Sequence, residues 1–141
     1  MVLHAGGSEQ GNVDDWPAFQ TWYRRNRAFL RADRRQGGSL ILDEDAKALN
    51  VVPGRPEFFP AAIAALKEGG AKAERATKLL RRYAPLGPNE ARAERWQRWW
   101  DENKSYLFFS EAGWYRWYID PLACKRGVPT AELRGAARAK N

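Results

Sequence analysis

Phe19-Gln20-Thr21-Trp22-Tyr23-Arg24-Arg25-Asn26 and Trp96-Gln97-Arg98-Trp99-Trp100-Asp101-Glu102-Asn103 decide how this chain is read. From Phe19 to Trp96 is an offset of 77 positions, and the register holds without a gap from Phe19–Val52 over Trp96–Pro129. Gln20 meets Gln97, Trp22 meets Trp99 and Asn26 meets Asn103. Further along, Leu30 meets Leu107, Asp43 meets Asp120, Ala46 meets Ala123 and Val51 meets Val128. Like replaces like at Phe19 and Trp96, Tyr23 and Trp100, Phe29 and Tyr106, Leu42 and Ile119. Self-similarity at one fixed offset, carried by rare residues, is the mark of a repeated structural unit.

Each copy reads as a helix, a β-hairpin and a short helix. In copy one Asp15 can cap and Pro17 suits a first turn, while Trp16, Phe19, Tyr23 and Leu30 form a roughly helical stripe. In copy two Pro88 is expected to start a charged helix whose stripe is Ala93, Trp96, Trp100 and Asn103. Asn26 and Asn103 stand where these helices should stop, in the left-handed conformation that Asn tolerates. Then follow Phe29–Ala32, a turn at Gln36-Gly37-Gly38 and Ser39–Leu42; in copy two, Tyr106–Phe109, a turn over Ser110–Gly113 and Trp114–Ile119. Aromatic and β-branched runs bounded by glycine turns are the strand signature. Asp43 and Asp120 would each cap a short helix, the second with Pro121 in its first turn and Gly127 at its end.

Between the copies, 60–69 and 71–83 read as a helical pair split at Gly69-Gly70, burying Ile63, Leu66, Leu79, Leu80 and Tyr83. The expected class is a helix-rich α+β fold in which a duplicated helix–hairpin–short-helix unit flanks a helical pair. Residues 1–14 are expected to be a flexible polar tail, and 15–141 one domain: copy one 15–54, helical connector 56–84, copy two 88–135. An isolated two-stranded hairpin is marginal in water, so the copies are expected to pack together or share a sheet.

Chemistry is scarce. Cys124 is the single cysteine, which removes any intramolecular disulfide and any cysteine-based zinc site; no metal or cofactor is implied. His4 is the only histidine and falls in the tail, which removes the usual general base. Asp43 and Asp120 are explained as caps; a carboxylate-pair hydrolase is the enzymatic alternative to a non-enzymatic chain. No apolar run approaches the ~18 residues of a membrane span, and with no secretory signal visible the default compartment is the cytoplasm.

Two surfaces stand out. Strand alternation puts Tyr115, Trp117 and Ile119 on the apolar side of the second hairpin and Trp114, Arg116 and Tyr118 on a mixed aromatic–basic side. Trp99 joins that second set as a candidate partner surface, because Trp96, Trp99 and Trp100 cannot all lie deep on one narrow stripe. The other surface is the basic cluster Arg24, Arg25, Arg27, Arg31, Arg34 and Arg35, whose copy-two equivalents are Asp101, Glu102, Lys104, Phe108, Glu111 and Ala112. With 24 Lys and Arg against 17 Asp and Glu, a formal charge of +7, such a cluster suits phosphate or an acidic protein surface.

The stretch Trp96-x-x-Trp99-Trp100-x-x-Asn103, with Tyr106–Phe109 and Tyr115–Asp120, resembles Trp-rich segments of large uncharacterised proteins of planctomycete-type bacteria. The resemblance covers about the last fifty residues and, through the repeat, part of copy one. It implies no catalytic or binding residue and points to an accessory module of a larger assembly. The functional expectation is therefore a protein-interaction or self-association module. Nucleic-acid binding through the arginines and stacking aromatics, or carbohydrate binding on exposed rings, are the alternatives.

Overall fold

Asp15 starts the first helix: its carboxylate accepts the Ala18 amide at 3.3 Å, and Pro17 supplies the preset φ of a first turn. The coordinates are a computed structural model that describes residues 3–5, 15–33 and 39–133. Helix α1 spans Trp16–Asn26 and passes through a 3-10 turn at Arg27–Phe29 into strands β2 (Leu30–Asp33) and β3 (Ser39–Leu42). Asp43 then caps α2 (Glu44–Leu49) through the Ala46 amide at 3.1 Å. Helices α3 (Phe58–Glu68) and α4 (Gly70–Tyr83) pack on each other. The second unit follows as α5 (Ala93–Asn103), a 3-10 turn at Lys104–Tyr106, β4 (Leu107–Ser110), β5 (Arg116–Ile119) and α6 (Pro121–Arg126). A last helical turn covers 130–133.

The class is the expected helix-rich α+β. Every element of the second unit lies 77 positions after its counterpart, from α1 and α5 at Trp16 and Ala93 to α2 and α6 at Glu44 and Pro121. Finer detail recurs as well. The Asp43 amide donates to Phe29 O and the Asp120 amide to Tyr106 O, at 2.8 and 2.7 Å, locking each short helix to the turn before its hairpin.

Several expectations are corrected. Asn26 and Asn103 are not left-handed: their φ values are −111° and −115°, and each side chain donates to the carbonyl four residues back, on Trp22 and Trp99, at 2.8 and 2.9 Å. That bond lets the chain tighten into a 3-10 turn instead of reversing. Left-handed closure is found instead at Asn50 (φ 53°) and Gly127 (φ 66°), which end α2 and α6. Helix α5 begins at Ala93, not Pro88, because the preceding chain wraps an indole. Trp96 Nε1 donates to Glu90 O at 2.8 Å, and a Cβ on Gly87 would meet the Trp96 ring at 2.4 Å.

The tail expected over 1–14 contains a strand, β1 (Leu3–Ala5), which pairs parallel with β3 in the register Leu3 to Leu40. It satisfies the backbone groups along the edge of β3 that would otherwise face solvent. The rest of 1–14, the turn at Gln36-Gly37-Gly38, and 134–141 lie outside the described residues. The hairpins do not share a sheet: β1-β3-β2 and β4-β5 are separate.

The main core lies on α3 and α4, where Ile63, Leu66, Leu79, Leu80 and Tyr83 are buried as expected. Helix α3 starts two residues before the expected position 60, which adds Phe58 and Phe59 to the core, and the cluster extends to Val51, Trp96 and Trp117. A smaller cluster of Trp22, Leu30 and Leu42 holds α1 on its own sheet. The buried residues of α1 are therefore Trp22 and Asn26, and the stripe Trp16 and Tyr23 faces out.

Candidate functional site

The second unit shows what an α5-type helix does when it is covered. Phe59, on α3, is fully buried. Its ring stacks on Trp100 at 4.7 Å, meets Trp117 edge-on at 5.3 Å and lies 5.8 Å from Trp99, while Trp96 backs Trp99 at 5.5 Å. Trp117 is fixed by donating its indole N–H to Pro53 O at 2.6 Å. Offset and edge-on ring pairs of this kind add about 0.5–1.5 kcal/mol each beyond the area they bury.

In the first unit the matching positions line an open groove of about 430 Å³. Tyr23 and Leu40, in the places of Trp100 and Trp117, form its walls together with Phe19, in the place of Trp96. Trp16 extends the wall, stacked on Phe19 at 5.6 Å, and Phe19 stacks in turn on Tyr23 at 6.2 Å. Trp16 is 58 % exposed and Tyr23 41 %, so two large rings face solvent, each stacked on Phe19. Gln20, Arg24 and Arg27 complete the lining, and neither arginine is ion-paired among the described residues. An apolar concavity with convergent cations is built to hold an apolar or aromatic group that carries negative charge beside it.

The expected basic cluster divides. Arg24, Arg25 and Arg27 are exposed at the end of α1. Arg31 turns to the opposite side, its Nε 3.8 Å from a buried Asp43 carboxylate oxygen. Arg34 and Arg35 lie outside the described residues.

The expected face of the second hairpin is also redrawn. Arg116 and Tyr118 share the outer side of β5, opposite Ser110 and Phe108, and Phe109 and Trp117 form the inner pair. Trp114 is not on that strand. It has φ 71° and Tyr115 has φ 58°, because Ser110 Oγ accepts the Gly113 amide at 2.9 Å and the turn runs on to Tyr115. Tyr118 braces this turn by donating its hydroxyl to Gly113 O. Trp114 remains 58 % exposed, whereas Trp99 is half-buried against Phe59 and Trp96 and offers little surface to a partner.

Asp43 does more than cap. It is 2 % exposed, and while one oxygen takes the Ala46 amide the other accepts from Arg82 at 2.6 Å and from the Tyr83 hydroxyl. Asp45 extends the network to Arg75 at 3.1 Å and Arg82 at 3.5 Å. Burial pushes the Tyr83 hydroxyl far above its usual range, and the Asp43 charge pushes it further. Burial alone would lower the Arg82 guanidinium, but Asp43, Tyr83 and Asp45 more than reverse this and hold it charged. Asp43 and Asp45 thus join α2 to α4, while Asp120 only caps α6. No three His, Cys, Asp or Glu residues are grouped to hold a metal among the described residues.

The sequence reads Trp16, Phe19 and Tyr23 as one helical stripe without marking them as a surface, and so the groove is missed. The available signal was the pair Trp16 and Ala93: the covered helix carries alanine where the uncovered one carries the largest side chain. Comparison with known protein families, characterised proteins and solved structures returned no match. Among the described residues no helix is long and apolar enough to cross a membrane.

Proposed function

We propose that this chain is a non-enzymatic protein-interaction module, accessory to a larger assembly, that recruits its partner at the α1 groove. One observation carries this reading: Trp16 and Tyr23 stand exposed on a structured helix beside Arg24 and Arg27, in a concavity shaped for a side chain. Tyrosine, tryptophan and arginine are the residues that dominate protein–protein hot spots. We further read the two units as products of internal duplication, supported by the common offset of their elements and by the recurrent Asp43/Asp120 and Asn26/Asn103 hydrogen bonds. After duplication one unit was absorbed into the core, and the other kept its helix face for recruitment.

A photo-cross-linking residue placed at Tyr23, at Trp114 or at exposed Glu74, in the full chain within its native cells, tests the reading. A discrete protein adduct from position 23 alone supports it. An adduct from position 114 alone moves the site to the second hairpin. A nuclease-sensitive adduct, or none, overturns it in favour of nucleic-acid binding or a purely structural role.

A further inference from the structure

The likeness between the open groove and the seat of Phe59 allows the partner's chemistry to be specified. Phe59 reaches the second unit from a helix, and its ring is gripped by Trp100 of the unit's long helix and Trp117 of its second strand. The first unit presents Tyr23 and Leu40 at those same two positions, with no helix laid over them among the described residues. Because both units share their element order and register, the same approach is geometrically open to a second helix.

What differs is the rim. Where the second unit has Asp101 and Lys104, a pair that cancels, the first has Arg24 and Arg27, which add. They sit exposed at the C-terminal end of α1, where basic residues are favoured by the helix dipole. An incoming helix with lysines beside its anchor would be repelled, and one with Asp or Glu there would be drawn in and oriented.

We infer that the α1 groove takes an aromatic side chain from an acidic amphipathic helix of a protein partner, seated as Phe59 is seated against α5. This rests on the protein-recruitment reading above. It adds the partner's secondary structure, anchor type and charge.

The probe is the chain's own α3 segment, Glu57–Glu68, as a helix-stapled peptide in two forms. The acidic form carries Ala61→Glu and Lys67→Glu, and the basic form carries Ala61→Lys and Glu68→Lys. Amide shifts of the isotope-labelled full chain are followed during titration. The expected result is shifts confined to Gln20–Arg27 and around Leu40, with the acidic form binding about two- to tenfold tighter than the basic one, as rim ion pairs allow. Replacing the peptide's Phe59 by Ala should abolish the shifts, as should Tyr23→Ala in the protein. Arg24→Glu with Arg27→Glu, both at exposed positions, should invert the preference between the peptides without loss of fold.

Absence of binding, equal affinity for both forms, or shifts centred on α5 would overturn the inference. So would tighter binding of a single-stranded oligothymidine than of the acidic peptide. If the peptide fails while cross-linking at position 23 still yields a protein adduct, recruitment stands and the helical, acidic anchor falls. If both fail, both fall.

Discussion

The two helix–hairpin–helix units meet the same helical pair through opposite ends of themselves. The first docks through its short helix: Ala46 and Val51 enter the main core, and Asp43 and Asp45 reach Arg82 and Arg75 on α4. The second docks through its long helix and second strand, with Trp96 and Trp117 buried around Phe59. Each leaves out what the other buries. Helix α6 shows Leu122 and Cys124 to solvent, whereas α1 shows Trp16 and Tyr23. One local architecture thus supports two modes of attachment, one led by charge and hydrogen bonds and the other by rings. The choice is made by a few side chains at equivalent positions.

The strongest way to break this comparison is at the anchors themselves. Phe59→Ala should lower unfolding free energy in urea by about 3–5 kcal/mol, because a fully buried ring leaves a cavity among three tryptophans. Tyr23→Ala, at the position matching Phe59's main ring partner, should change stability by no more than about 0.5 kcal/mol. A large loss at Tyr23 would mean that the groove is structural and that the units are less different than they look.

Asp43 and Asp120 come next. Both cap, but Asp43 also accepts from half-buried Arg82 and buried Tyr83, so Asp43→Ala should cost about 2–4 kcal/mol by leaving the Tyr83 hydroxyl unpaired and Arg82 with Asp45 alone. Asp120→Ala should cost about 1 kcal/mol, the worth of a cap. Equal costs in chemical denaturation would refute the division between charge-led and ring-led docking.

Alkaline titration sharpens the same point. Unfolded tyrosine ionises at about 10. Folded Tyr83 holds its proton to higher pH because burial and Asp43 oppose the phenolate. The unfolded state therefore binds fewer protons above that point, and stability falls as pH rises beyond it. Tyr83→Phe should flatten this fall in denaturation midpoints measured between neutral and strongly alkaline pH. A residual slope from Tyr115, also raised by burial and by Glu111, should remain. An unchanged slope would place the titration elsewhere.

The smallest contrast is at the closing residues of α2 and α6. Gly127→Ala should destabilise by about 1 kcal/mol because its φ of 66° is left-handed, whereas Asn50→Gly, already accommodated there, should change thermal midpoint little.

How far this was legible in the sequence follows from where the information lies. The caps at Asp15, Asp43 and Asp120, both hairpins and the apolar faces of α3 and α4 are local patterns and could be read directly. The orientation of α1 could not, because Trp16, Phe19, Trp22 and Tyr23 satisfy two overlapping helical stripes and only the presence or absence of a covering helix selects between them. Asn26 was found but misassigned, since its side-chain bond to Trp22 O and a left-handed stop both predict an asparagine at a helix end. The groove needed three dimensions: Leu40 comes to α1 only through the pairing of β3. Asp43's partners stand about forty residues away on α4, beyond any local pattern.

The grip of Trp117 and Trp100 on Phe59 has a temporal side. Synthesis runs from the N-terminus, so Phe59 on α3 emerges ahead of Trp100 and Trp117, which follow it by about forty to sixty residues. At about 5–20 residues per second that interval lasts roughly 2–12 s, long compared with the formation of a helix pair. During it the nascent chain displays the ring that its finished form hides most completely. Helix α3 is therefore the part of the core whose exposure during synthesis is set by how promptly the second unit follows.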